Sequence, residues 1–478
     1  MKPNEQGPVS GFIERRLSLS AVGALTACVY LLALVFYVGG PQSRTRTAKE
    51  LFAWFCVLSL LPLFGAGYSR LKASDDASAV RKVVIFAAVF CLAALFVYPF
   101  HSTDVFGYIN RGWQQVRYGQ NPYVYTTSEI PQWQQDPMIW DHWIYNPNPY
   151  GFLFTLLARA LCQLGGGNWA LTLLLFKSVN ALAYGLTAWL VWSGAKLLGH
   201  ARPQLALYAF LWNPLILMHH VANGHNDILV GCLLALALYL VVRGAEVWVI
   251  PVLVAATFLK YAPVLLIPLA LVLIVRRRGW KVAATGCALG ALIAAAVSVP
   301  YIQDWRLFKL EDIGDNASLI DNSLHSFLIH VFENVARIVP ALADFHAAVN
   351  SSIKLALRAG FILFFVYQLV RLPKNFGARQ LTEKSLLVLF VLICVVSSKF
   401  NAWYVGMLLP PALLLEERHW LRRLILLISC TELLSLTFFK QAYMLNFFAM
   451  ILLPCWIIFR RVREEKAMES ATASLPAG

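Results

Sequence analysis

Apolar runs of bilayer-spanning length alternate along most of this chain with short polar breaks. The runs near residues 18–39, 50–69, 82–99, 169–195, 204–222, 227–242, 282–300 and 350–371 are followed by shorter ones at 384–397, 402–415, 421–438 and 442–459. Two further short runs, 246–259 and 261–275, meet at Lys260-Tyr261. Because an α-helix needs about 20 apolar residues to cross a hydrocarbon core, the pattern predicts an all-α, polytopic membrane protein with about fourteen spans. Residues 148–164 are apolar but short and contain Arg159, which predicts a juxtamembrane or re-entrant helix. Residues 324–340 are expected on the membrane surface.

Composition agrees with this class. The 478 residues are 59% hydrophobic and 14% charged, and mean hydropathy is +0.63. A soluble globule averages about 45–50% apolar and about 25% charged. The net charge of +15 does not call for nucleic acid, because the Lys and Arg residues lie in short loops between apolar runs, as the positive-inside bias requires. The nine cysteines all fall within apolar segments without a CxxC pair, so neither disulfides nor a zinc site is expected.

Charge also assigns sides. Arg70, Lys72, Arg81 and Lys82, the Arg276-Arg277-Arg278-Gly279-Trp280-Lys281 cluster, EERHWLRR and RRVREEK mark cytoplasmic loops, whereas residues 100–147 and 301–323 are acidic and expected outside. Arg44, Arg46 and Lys49 are the exception. The expected divisions are an N-terminal tail with three spans (1–99), an extracytoplasmic loop with juxtamembrane helices (100–168) and a transmembrane core (169–300). A second outer loop (301–349), C-terminal spans (350–461) and a cytoplasmic tail (462–478) follow.

The unusual polar residues fall on the outer side. Asp104 follows the third span, where a positioned carboxylate could act as general base towards a hydroxyl; the alternative is a helix N-cap opening VFGYINRGWQQVRYG. Arg111, on that helix, and Tyr145 are candidate substrate contacts. ANGHND places Asn223, His225, Asn226 and Asp227 between two apolar spans, groups able to hold sugar hydroxyls or a divalent cation. Lys260, followed by Tyr261, could neutralise a phosphate or snorkel to water. Lys399 and Lys440 raise the same question, and Trp403 and Tyr404 could stack on a sugar or anchor a helix.

In this order, Asp104, Gly119-Gln120-Asn121-Pro122-Tyr123, Tyr145-Asn146-Pro147, the stretch from Trp212 to Asp227 containing NGHND, Lys260 to Pro268 and Trp403-Tyr404 resemble the GT-C glycosyltransferases over roughly residues 85–460. They are most similar to bacterial polyprenol-phosphate-mannose-dependent α-mannosyltransferases. The resemblance implies the GT-C fold in a cell inner (plasma) membrane and a catalytic base at Asp104. It further implies a polyprenyl-phosphate-linked sugar donor, a glycan or glycolipid acceptor, and inverting transfer on the extracytoplasmic side with no required cofactor, a divalent cation being optional. Lys260 and His225 are the expected contacts of the anionic group. Two competing classes are a secondary transporter, which would keep ionisable residues near the bilayer midplane, and a lipid-linked oligosaccharide ligase or polymerase.

Overall fold

The computed structural model describes residues 17–74, 76, 78–302, 323–437 and 446–473. Its regular structure is helical, with no β-strand among the described residues. Asp304, Glu311, Asp312, Asp315 and Asp321 of the acidic stretch expected outside, and Lys440, lie outside them.

The first three helices are α1 (Leu19–Tyr37), α2 (Arg46–Lys72) and α3 (Ala79–Phe96). They are apolar around their whole circumference, so burial must discriminate among apolar residues. In α1, Val29, Tyr30, Ala33 and Tyr37 pack inward while Leu31, Leu32 and Val35 stay exposed. Such an outward apolar surface suits acyl chains. By length and composition six described helices can cross a membrane: these three, Trp169–Leu197, Trp280–Ser298 and Pro340–Val370. A bent pair, Pro203–Leu211 with Ile216–Ala222 at 53°, would make a seventh. Other runs counted as spans in the sequence are shorter or broken helices; the run at 402–415, for instance, is a 3₁₀ turn followed by the nine-residue helix Val405–Leu413.

Two short amphipathic helices follow the third span. Helix α4 (Asp104–Tyr118) ends on Gly119 in the left-handed region, and α5 (Phe152–Gly165) packs against it. With 14 residues, α5 reaches about 21 Å and falls short of a hydrocarbon core of about 30 Å. Its N-terminus is pinned to the end of a later helix, since the N–H groups of Gly151 and Leu153 donate to the carbonyls of Leu259 (3.2 Å) and Phe258 (2.9 Å).

The centre of the molecule is α6 (Trp169–Leu197), α7 (Pro203–Leu211), a π-helical segment (Ile216–Ala222) and α8 (Asp227–Arg243). The break after α7 is built by Trp212-Asn213-Pro214. The Trp212 indole donates to the Val83 carbonyl at 3.0 Å, while the Asn213 side chain accepts from the Leu215 N–H at 3.1 Å and donates to Ser429 Oγ at 2.8 Å.

Helices α9 (Val249–Thr257), α10 (Leu266–Arg278) and α11 (Trp280–Ser298) come next, then α12 (Leu324–Ile338), α13 (His346–Val370) and α14 (Ala378–Val391). The described chain closes with α15 (Val405–Leu413), α16 (Trp420–Thr431) and α17 (Leu453–Ala473). Helices α8 and α15 cross so closely that a Cβ on Gly231 would lie 2.1 Å from the Gly406 carbonyl oxygen.

Candidate functional site

The polar residues of the breaks between apolar runs converge at the crossing of the π segment, the starts of α4 and α8, and the Lys260 turn. The GHND loop is held from inside. Asn180, in the middle of α6, donates to the carbonyls of His220 (3.0 Å) and His225 (3.1 Å), and the His225 N–H donates to the His219 carbonyl at 3.2 Å. Gly224 has φ +79° and so supplies the left-handed turn that an L side chain rarely adopts. The π-helical stretch before it shifts His219 and His220 relative to a regular helix, a distortion common at functional sites.

Asp104 is the first residue of α4. Thr103 occupies the N-cap position without a side-chain cap bond, so the capping role open in the sequence is not what the Asp104 carboxylate does. Its Oδ2 lies 3.5 Å from Nδ1 of the fully buried His225, and the side chain keeps 15% exposure. Burial would raise the Asp104 carboxyl, but His225 and the charges of Lys260 and Lys399 outweigh it and bring it down to about 2. The carboxylate is therefore ionised, reachable and stabilised by His225, Lys260 and Lys399.

The His225 ring is stacked on Trp403 at 3.8 Å and 12°. Asp227 opens α8, fully buried, with Oδ1 2.6 Å from Lys260 Nζ; its other oxygen, Oδ2, has no hydrogen-bond partner among the described residues. Lys260 thus neither snorkels nor points to bulk water: it pairs with Asp227, lies over the Tyr404 ring at 4.8 Å and retains 19% side-chain exposure. Burial disfavours its ammonium, yet Asp227, then Tyr404 and Asp104, hold it protonated above its usual range.

Other expected contacts take different roles. Asn223 is buried: Oδ1 accepts from the N–H groups of Phe100 and His101, both at 2.8 Å, and Nδ2 donates to the Met218 carbonyl at 2.7 Å. It fixes the turn that carries Asp104, with both Oδ1 bonds spent on that turn. Arg111 is likewise buried, donating to the carbonyls of Gly107, Trp143 and Asn146 at 3.1–3.3 Å. It latches the outer loop to α4, where a direct substrate contact was expected. Asn226 accepts from the Tyr108 hydroxyl at 3.3 Å. Tyr145 is 75% exposed on the loop, and the exposed Tyr261 donates to the Tyr150 carbonyl at 3.4 Å.

Two site groups were not singled out from sequence. Tyr150 packs edge-on to Tyr108 at 5.0 Å and lies under Lys260 at 5.9 Å. Asn180 is an amide inside an apolar helix, and that polarity was its only sequence signal. Lys399, given little weight in the sequence, sits over Trp143 at 5.6 Å and contributes charge at Asp104. Among the described residues no group of three or more His, Cys, Asp or Glu is arranged to hold a metal ion.

Residues 17–276 match the family model described as alpha-(1->6)-mannopyranosyltransferase, N-terminal domain. The chain is 24% identical over 206 residues to alpha-(1->6)-mannopyranosyltransferase A of Corynebacterium glutamicum, covering 42% of this chain and 41% of that protein. It is 27% identical over 190 residues to the Mycobacterium tuberculosis protein of the same name, covering 39% and 35%. The chain therefore aligns with about two fifths or less of the length of these relatives. Asp104, the GHND loop and Lys260 fall inside the matched segment; Lys399, Trp403 and Tyr404 fall beyond it.

Proposed function

This chain belongs to the alpha-(1->6)-mannopyranosyltransferase family, and from that premise we propose that it is a membrane mannosyltransferase that uses a polyprenyl-phosphate-linked donor. Transfer takes place on the extracytoplasmic face of a plasma (inner) membrane, onto a hydroxyl of a glycan or glycolipid, with inversion at the anomeric carbon. The observation that carries this reading is an ionised, partly exposed Asp104 ringed by His225, Lys260 and Lys399.

In the proposed step Asp104 takes the proton of the acceptor hydroxyl. The oxygen lone pair forms the new bond to the anomeric carbon while the bond to the phosphate oxygen breaks, its electron pair leaving with the lipid phosphate. Negative charge moves from the acceptor side to the phosphate as this happens. Cations fixed in a partly dry site stabilise that charge without reorganising. Lys260 already neutralises Asp227, so Lys399 shares the role with it, and Trp403, rigid against His225, offers an aromatic edge to the sugar. Such a displacement from a good leaving group has no required cofactor; protein treated with EDTA is expected to keep transferring, and loss of transfer restored by a divalent cation would add a metal to the site.

The decisive experiment uses the full-length protein in detergent with radiolabelled polyprenyl-phosphate mannose and no ion gradient. Wild-type protein should transfer label to a mannoside acceptor. Asp104→Asn should express and fold normally while turnover falls by at least about a hundredfold, the low end for loss of a positioned acid/base group. Wild-type-like turnover in the Asn variant removes Asp104 from the chemistry.

A further inference from the structure

At the opposite end of α4 from Asp104 the outer loop folds back to form an open cleft of ≈ 380 Å³. Trp113, Arg117 and Tyr118 of the helix line one wall, and Gln132, Gln135 and Asp136 the other. Asp136 organises it. Its Oδ2 accepts from the Trp113 indole N–H and the Tyr118 hydroxyl, both at 2.7 Å, and its Oδ1 accepts from the Met138 N–H at 2.8 Å. Both rings also pack against a small cluster of Ile130, Ile139 and Ile144. Gln132 has φ +55°, a left-handed conformation that costs a non-glycine residue about 1–3 kcal/mol and that clusters at ligand clamps.

Asp136 alone would be explained as a tie between loop and helix. It does not explain why the tie leaves a cleft within the usual range of small-molecule sites, about 300–1,000 Å³, or why a strained glutamine faces into it. The lining is polar, which disfavours an acyl chain. It combines two rings, each held by a hydrogen bond to Asp136, with a guanidinium and two amides. Flat amphipathic faces beside several hydrogen-bonding groups suit a hydroxyl-rich ring.

The spacing then constrains what such a ring belongs to. Trp113 is nine residues beyond Asp104 on one helix and Tyr118 fourteen, so they lie about 14 and 21 Å along the axis at 1.5 Å per residue. A lone sugar presenting its hydroxyl to Asp104 does not reach the cleft. Nine residues also turn Trp113 about 180° around the helix from Asp104, so the span calls for several sugars that curve around α4. We infer that the cleft is a remote acceptor subsite that holds sugars away from the reacting end of an oligosaccharide or polysaccharide acceptor. This inference rests on the transfer reading above and adds to it where the far part of the acceptor is held.

The test presents full-length protein with radiolabelled polyprenyl-phosphate mannose and a ladder of α-1,6-linked mannosides from mono- to hexasaccharide. In wild-type protein kcat/KM should rise by about tenfold with acceptor length, equivalent to about 1.4 kcal/mol of added binding. In the Arg117→Ala/Gln135→Ala double variant, both exposed positions, the ratio of long to short acceptor should collapse towards one. Trp113→Phe, which keeps a ring but loses the bond to Asp136, should fall between them. A flat ladder in wild-type protein, or an undiminished one in the double variant, overturns the subsite. If no mannoside accepts label, the transfer reading fails on its own. Saturation-transfer NMR with the hexasaccharide then decides the cleft: signal lost in the double variant supports it, and equal or absent signal in both proteins overturns it.

Discussion

The ionisation of Asp104 has a measurable signature. Its carboxyl lies at about 2, below the ordinary aspartate value of about 3.9, and a base must be deprotonated to act. Its own acidic limb in kcat/KM therefore falls only as pH drops towards about 2, so Asp104 should contribute no limb between pH 5 and 8. His225→Gln removes the leading partner that lowers it, and an acidic limb should move up into the accessible range; an unchanged profile would detach Asp104 from the rate. Lys260 makes a separate prediction. Removing one member of a buried ion pair strands the other and costs about 3–5 kcal/mol, so Lys260→Met should lower the thermal stability of the detergent-solubilised protein sharply. Lys260→Met with Asp227→Asn should recover stability without recovering transfer. A stable single variant would mean that Asp227 is satisfied some other way.

Among the elements, the π segment, α8 and α15 place the site, and their fit depends on absent side chains. A Cβ on Gly231 would lie 2.1 Å from the Gly406 carbonyl oxygen, so Gly231→Ala must push α15 away from α8. The Trp403 and His225 rings sit just beyond that crossing. The variant should lose about 1–3 kcal/mol, as overpacked cores do, and lose transfer disproportionately; thermal melting compared with turnover checks both. How much of this could be read in sequence differs by element. The third span was expected near 82–99 and α3 runs from Ala79 to Phe96, because an uninterrupted apolar run is a strong periodic signal. The Asn-Gly-His-Asn-Asp break was legible because so many polar groups between two apolar runs are conspicuous in sequence. The pairing of Lys260 with Asp227, 33 residues apart, was not, since it depends on how two helices meet. For the same reason the backbone carbonyls and amides that Asn223 and Arg111 bind were not legible either. Polarity marks a residue as unusual without indicating which of its neighbours it satisfies.

For the whole molecule the charge pattern proposes that the outer loop and the arginine cluster lie on opposite sides of the membrane. Tyr145 and Gly279 are both exposed, which makes them suitable reporters, whereas Asn226 is buried and is not. A cysteine at Tyr145 should react with an impermeant thiol reagent in intact cells or spheroplasts, while one at Gly279 should react only after permeabilisation. The reverse pattern would turn the molecule over.

The stack of Trp403 on His225 joins parts of the chain made at different times. Asp104, His225 and Lys260 leave the ribosome well before Lys399 and Trp403, which follow Lys260 by about 140 residues, or on the order of ten seconds at about 5–20 residues per second. Throughout that interval the nascent protein carries Asp104 and the Lys260–Asp227 pair without the lysine and aromatic cover that complete the site. An insertion intermediate would therefore be inert towards donor lipid already in the bilayer. On the proposed reading, docking of the late helices would complete the site, so that transfer begins only after they have been inserted.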